Sequence, residues 1–498
     1  MKYFLGIDLG TSAVKAVVFD ESFAFVAKGS AGYELSAAKD GWAEQDPADW
    51  REATRTALHQ AIGRAGIDAA SIAGIGISGQ MHGLVMLDGE GHVLRPAILW
   101  CDQRSTAECE EITSLVGRQR LVEITANPAL PGFTASKILW VRKREPELYA
   151  RCRHLLLPKD YLRFLLTGRY ETEVSDASGM QLLDVPRRTW SDALLRDLDI
   201  ERAWLPEVHE SPDITGYVTR RAAAYFGLAY GTPVAGGAGD NAAAAIGTST
   251  VQEGRSFTTI GTSGVLLTHT DRPCIDKQGR VHTFCHAMPE AWITMGCTLA
   301  AGESLRWFLK KILGDTLSFE EALALAADAP CGAHRLLYLP YLMGERSPIL
   351  DSYARGTFVG LSAMHGQGDL VRAILEGVSY SLKDCYEVFG EMGITFSLMR
   401  LCGGGAKSPL WRQILADMYD CQVAMDDSAE SGALGVAVLA AVGTGCYSSV
   451  PAACAHLPPA AAKETPRAEA AAYYQRGYQL YRKVYEDLKQ DYRSLSTL

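Results

Sequence analysis

The sequence predicts an α/β protein built from two related halves, and three observations carry that prediction. Apolar strand-like runs alternate with helix-like ones along the chain, the pattern of sheets covered by helices. A strand–turn–strand unit opens the chain and a second one of the same form lies in its second half, each turn reading Gly-Thr-Ser. At roughly 100–200 residues per domain, 498 residues hold two to four units.

The elements follow in order. Residues 3–8 form an apolar strand, 9–12 a Gly-containing turn and 14–19 a second strand. Helices are predicted over 50–65, 135–144 and 159–166, with a strand at 72–77 between the first two. The opening hairpin is repeated by 257–260, the turn GTSG at 261–264, and 265–268. A helix over 370–392, a strand over 397–402 and a helix over 409–419 come next. Residues 448–466 are a Pro/Ala-rich connector. The tail is helical, with Tyr474, Tyr478, Tyr481, Tyr485, Leu488 and Tyr492 spaced by three or four, a packing stripe. The stretch 431–455 has no charge and no histidine, and its length alone would permit a membrane span. Gly432, Gly435, Gly443, Gly445 and Pro451 interrupt it, so it reads as a buried Ala-rich helix followed by a loop.

Composition narrows the function. The net charge is -10 and basic residues form no long block, which argues against nucleic acid as a partner. No membrane association is expected. The first apolar run is short and interrupted by Asp8, unlike a signal peptide. Twelve cysteines lack a Cys-x-x-Cys pair, the mark of reduced thiols in a cytoplasmic protein. His282, Cys285 and His286 form one local cluster, in which the two histidines would share a helix face and hold a metal; no second ligand pair of good spacing accompanies them.

Three Gly-rich turns offer phosphate cradles. In DLGTS (8–12), Gly10 allows close backbone approach, and Thr11 and Ser12 offer hydroxyl and N–H donors. Asp8 beside them either holds Mg²⁺, directly or through water, or forms an Asx-type turn. GTSG contributes Thr262. CGGGAKSP (402–409) falls between a strand and a helix, where α/β folds bind nucleotides. There is no Gly-x-x-x-x-Gly-Lys-Ser/Thr and no strand-borne Gly-x-Gly-x-x-Gly, which excludes a P-loop and a dinucleotide fold. In VAGGAGDNAAAAIG (234–247), Asp240 is the lone charge of an apolar segment. It either caps a helix starting near Asn241 or, its pKa raised by desolvation, serves as a general base. GISGQMHG (76–83) places Gln80, Met81 and His82 in a turn after a strand, where polar groups face ligands.

Together these segments resemble the FGGY carbohydrate kinase family over essentially the whole chain. GIDLGTSAVK, WAEQDP, GQMHG, LRPAILWCDQR, PGFTASKILWV, GDNAAAAIG, YLPYLMGERSP and GGGAKSPLWRQILAD carry the resemblance. It implies two ribonuclease H-like domains of the actin and hexokinase type flanking an ATP cleft. Residues 1–245 would form an N-terminal domain with the sugar site and first phosphate turn, and 246–498 a C-terminal domain with the nucleotide site. It implies that Asp240 is the general base and that Met81, His82, Asp240 and Asn241 contact a ketose. Thr11, Ser12 and Thr262 would lie near the ATP phosphates, and Gly302, Gly404, Gly405 and Pro409 near the nucleotide. Two positions depart from the family pattern: Cys101, where Asn is common, and Ala238 in the GGAGD turn.

The expected reaction is transfer of a phosphoryl group from ATP to D-xylulose O5, with Asp240 taking the proton and Mg²⁺, held with help from Asp8, bridging phosphate oxygens. Another ketopentose, a polyol or a sugar acid is the alternative acceptor. An actin-like ATPase or a catalytically silent sugar sensor is the rival of another class, and neither needs a base aimed at an alcohol. Oligomeric state stays open, a homodimer included.

Overall fold

The computed structural model describes residues 2–426, 430–460 and 462–498. The first half of the chain supplies strands β1 (Tyr3–Leu9), β2 (Ala13–Asp20), β3 (Phe25–Gly32), β4 (Ile72–Gly79), β5 (Ile214–Tyr217) and β6 (Pro233–Ala235). The second supplies β7 (Gly254–Ile260), β8 (Gly264–Thr270), β9 (His282–Cys285), β10 (Trp292–Thr298), β11 (Phe396–Cys402), β12 (Gln422–Met425) and β13 (Ala462–Glu464). The helices that position the site are α1 (Pro47–Ala65), α2 (Thr134–Arg144), α3 (Pro158–Thr167), α4 (Asp240–Gly247), α5 (Gln367–Glu391), α6 (Pro409–Tyr419), α7 (Ser431–Gly443) and α8 (Ala468–Leu495).

The first sheet runs β5-β6-β4-β1-β2-β3 and the second β9-β10-β8-β7-β11-β12-β13. Their central five strands match. In each, an antiparallel meander of three strands is followed by two strands parallel to the first. The ribonuclease H-like duplication implied by the resemblance is therefore present, and both Gly-Thr-Ser turns close equivalent hairpins. Asp8 pairs with Lys15 in one, and Ile260 with Gly264 in the other.

Glycine and alanine let the two halves meet backbone to backbone. A Cβ on Gly6 would stand 2.0 Å from the Ala433 carbonyl oxygen, and one on Gly76 1.9 Å from that of Val436. Helix α7 thus lies flat on β1 and β4. Across from it, a Cβ on Gly435 would stand 1.9 Å from the Ala243 carbonyl oxygen, so α7 and α4 cross in direct contact. The 431–455 stretch is the buried Ala-rich helix the composition predicts, and among the described residues no helix is long and apolar enough to cross a membrane. All twelve cysteines are free.

The tyrosine stripe of α8 packs as expected and also hydrogen-bonds. Tyr474, Tyr478 and Tyr485 donate to the buried carboxylates of Glu376, Asp384 and Asp351 at 2.8, 2.6 and 2.8 Å. Three expectations need correction. His282 lies in a strand that pairs with β10, so no shared helix face exists. Its Nδ1 donates to Asn127 Oδ1, and His286 Nε2 donates to the Thr250 carbonyl. The connector over 448–466 contains a short helix, Val450–Cys454, capped by Ser449, and strand β13, which finds a partner in β12. Asp240 does not cap: Gly239 takes the N-cap position and Asp240 is the first residue of α4.

Candidate active site

The first turn is held from outside by side chains of neighbouring motifs. Gln45 Nε2 donates to the Thr11 carbonyl at 2.7 Å and Trp100 Nε1 to Thr11 Oγ1 at 3.1 Å. Tyr33 donates its hydroxyl to the Gly10 carbonyl. Gln45 is fixed in turn by the Trp50 indole and the Gln80 amide. Thr11 is half-buried and Ser12 exposed. Asp8, at the end of β1, accepts from Ser78 Oγ at 2.6 Å and does not make the Asx-type turn. Burial pushes its carboxyl up, the Ser78 bond and Lys15 pull it down, and Glu430 pushes it up again.

The second and third Gly-rich turns converge. Thr262, Gly302, Gly404 and Gly405 line one cavity of 620 Å³, together with Lys310, Asp315 and Trp411. The glycines do different work there. A Cβ on Gly302 would stand 2.5 Å from the Gly261 carbonyl oxygen, and one on Gly405 2.5 Å from Ile260 Cγ2, so both are demanded by packing. A Cβ on Gly404 meets nothing within 4 Å; its bareness leaves room in the cavity. Pro409 opens α6 after the Ser408 cap and does not line this space, nor do Thr11 and Ser12.

The turn after β4 meets the start of α4. A Cβ on Gly239 would stand 2.8 Å from Met81 Cγ, so the segment carrying Asp240 rests on the buried Met81 side chain. His82 has φ 68°, the left-handed region that is costly outside glycine. Its carbonyl accepts from Lys137 Nζ at 2.8 Å and Thr134 Oγ1 at 3.0 Å, which holds that conformation. Its Nδ1 lies 3.1 Å from the Gly179 carbonyl. A carbonyl only accepts, so Nδ1 carries the proton and Nε2 is an acceptor. Burial, with the Lys137 charge next, holds the imidazole neutral by pushing its pKa down to about 3.

Asp240 is half-buried at the mouth of α4, with half-buried Asn241 beside it. Its Oδ1 accepts from Asn241 N at 2.7 Å and Asn241 Nδ2 at 2.9 Å. Burial and then the Asp8 charge push its carboxyl up to about 7, against those two bonds. The arrangement is a carboxylate able to take a proton near neutral pH, set among hydrogen-bonding groups of the first half, while the second half carries the 620 Å³ cavity of the Gly-rich turns. Thr134, Lys137, Gln45 and Trp100 support this geometry and escaped sequence reasoning as site residues. Their signal lay in the motifs PGFTASKILWV, WAEQDP and LRPAILWCDQR, quoted above as units.

Comparison with known proteins agrees with this geometry. Residues 3–247 match the N-terminal domain of the FGGY family of carbohydrate kinases, and residues 257–444 match its C-terminal domain. A xylulose kinase of Bacillus subtilis is 41% identical over 98% of this chain and 98% of that protein. Among solved structures, a ligand-bound xylulose kinase from Lactobacillus acidophilus superposes with a TM-score of 0.93 at 28% identity, covering 99% of this chain and 100% of its own. A gluconate kinase from Lactobacillus acidophilus superposes with a TM-score of 0.94, also at 28% identity, covering 99% of both chains.

Proposed function

Because this chain belongs to the FGGY family of carbohydrate kinases, we propose that it transfers the γ-phosphoryl group of ATP to O5 of D-xylulose, giving D-xylulose 5-phosphate and ADP. ATP is the donor that the family uses. The acceptor is argued from full-length similarity to a xylulose kinase. The observation that carries the mechanism is Asp240, a carboxyl raised to about 7 at the junction of the two halves.

In this reading Asp240 accepts the proton of O5 as the hydroxyl attacks. His82 Nε2 accepts from a sugar hydroxyl, Asn241 offers its amide, and Met81 forms an apolar wall. N–H groups of the turns at Thr11, Ser12 and Thr262 receive the phosphate oxygens, and Gly302, Gly404 and Gly405 shape the nucleotide pocket. Pro409 acts indirectly, by starting α6. The N-terminal domain, 1–245, would then move against the C-terminal domain, 246–498, about the α4–α7 crossing and exclude water. Asp8 suits Mg²⁺: it is a hard oxygen ligand beside the first phosphate turn, with Ser78 bonding only Oδ1. Such an ion neutralises charge on the phosphate oxygens. Free thiols throughout fit action in the cytoplasm.

Gluconate is the second acceptor worth testing, because the superposition on a gluconate kinase is as close as that on a xylulose kinase. A coupled ADP-release assay over D-xylulose, D-ribulose, xylitol, glycerol and gluconate decides. D-Xylulose should show the highest kcat/KM; a higher value for any other acceptor would replace it.

A further inference from the structure

The loop after residue 340 holds a cation that no step above employs. Glu345 anchors it: Oε1 accepts from the backbone N–H groups of Leu299 and Arg346, both at 2.8 Å, and Oε2 from Ser381 Oγ at 3.2 Å. Ser347 N donates to the Cys297 carbonyl at 3.0 Å. Cys297 lies in β10, whose partner β8 begins at the second phosphate turn, and Gly302 N ties that region to the Gly261 carbonyl at 2.7 Å. The loop is therefore built onto the framework that carries the phosphate turn.

Arg346 itself is half-buried, and among the described residues its guanidinium makes no hydrogen bond or ion pair. The lysines around the sugar turn and the first phosphate turn are committed. Lys15 pairs with Glu430 at 3.2 Å, Lys137 donates to the His82 and Gly132 carbonyls, and Lys159 pairs with Asp160 at 2.7 Å and Glu173 at 3.2 Å. Burial, helped by the Arg346 charge, keeps His282 neutral, and Arg346 contributes in the same sense at His82. Its charge also reaches Cys297, as does that of Asp240. With its neighbours tied to Cys297 and Leu299, the guanidinium stands within electrostatic reach of His82, His282 and Cys297.

Asp240, which feels the Asp8 charge, also acts on Cys297, and the group that a kinase transfers is anionic. An unpaired guanidinium on an anchored loop has the fork geometry for phosphoryl oxygens. We propose that Arg346 is a catalytic residue that contacts the phosphoryl group in transit from ATP to the sugar and the phosphate of the product. The proposal rests on the sugar-kinase reading above. In the step, the O5 proton passes to Asp240 and the O5–P bond forms. The bond from phosphorus to the β,γ-bridging oxygen breaks, and its electron pair leaves on ADP. Arg346 supplies N–H donors and positive charge and exchanges no proton.

Removing one donor to the charge that develops in a transition state costs about 10²–10³ in kcat. Arg346→Ala should lose that much kcat with the KM for D-xylulose little changed, and added guanidinium should restore part of the rate. ADP with aluminium fluoride and D-xylulose should raise the melting temperature of the wild type strongly and that of the variant little, while D-xylulose alone protects both. Arg346→Gln keeps the stem without the charge and carries the same test if the alanine variant melts early. Wild-type enzyme without activity on any acceptor would refute the kinase reading itself. With the wild type active, unchanged kcat in the variant, or a loss confined to KM, would overturn the role proposed for Arg346.

Discussion

Asp240→Asn should abolish most turnover while making the fold more stable, a combination that separates a base from a structural carboxylate. The two bonds Asp240 Oδ1 accepts, from Asn241 N and Nδ2 at 2.7 and 2.9 Å, can both be accepted by an amide oxygen. The helix start should survive. What is lost is the proton acceptor, worth about 10²–10⁴ in rate, or roughly 3–5 kcal/mol at about 1.36 kcal/mol per tenfold. Stability moves the other way. Burial and the Asp8 charge push the native carboxyl up to about 7. A carboxyl at about 3.9 in the unfolded chain and about 7 in the native one costs the charged native state up to about 4 kcal/mol. That cost is fully present above pH 7, shrinks as pH falls through the native pKa, and vanishes below the unfolded one. Asn carries no such cost, so the variant should melt above the wild type at pH 8, with the gap closing toward acid. Wild-type kcat should show an acid limb near pH 7. Coupled ADP release and thermal melts over the same pH series measure all three. A folded variant with near-normal turnover would refute the assignment of the base. A variant that melts below the wild type at pH 8 would refute the electrostatic argument.

Four further substitutions probe the supports. His82→Ala leaves a sugar hydroxyl without its acceptor, at about 1–3 kcal/mol, so kcat/KM for D-xylulose should fall by about 5–150-fold while the KM for ATP holds; equal loss for both substrates would return His82 to a structural role. Lys137→Met keeps the apolar stem but removes the Lys137 donor from the Gly132 carbonyl and from the His82 carbonyl, which is left with Thr134 alone, so ketose KM should rise with ATP KM unchanged, and unchanged ketose kinetics would show that the left-handed His82 does not need this donor. Gly404→Ala should raise the KM for ATP without lowering the melting temperature, because its methyl group enters open cavity; Gly405→Ala should lower the melting temperature by forcing Ile260 aside, at about 1–3 kcal/mol. The reverse pattern would mean that the two glycines have been assigned the wrong duties.

Local chemistry made much of this molecule legible before any coordinates. Period-two and period-3.6 apolar patterns locate the two hairpins, α1, α5, α6 and the tyrosine-striped α8, because each pattern is written within one element. Asp240 stands out because a single charge in a Gly/Ala-rich segment needs a reason. The failures have the same origin. His282 and His286 are four apart, a spacing that a helix and a strand both permit, and only the pairing of β9 with β10 decides between them. Pro409 and Gly404 belong to one motif, yet only Gly404 borders the nucleotide cavity. Lys137 reaches a carbonyl 55 residues away, and Gln45 supports a turn 34 residues away. No periodicity encodes such distances, since they arise when sheets and helices settle against one another. The glycines of β1, β4 and α7 show this most directly. Each reads as ordinary punctuation in the chain, and only the stacked backbones, less than a side chain apart, reveal that it is there to let the two halves touch.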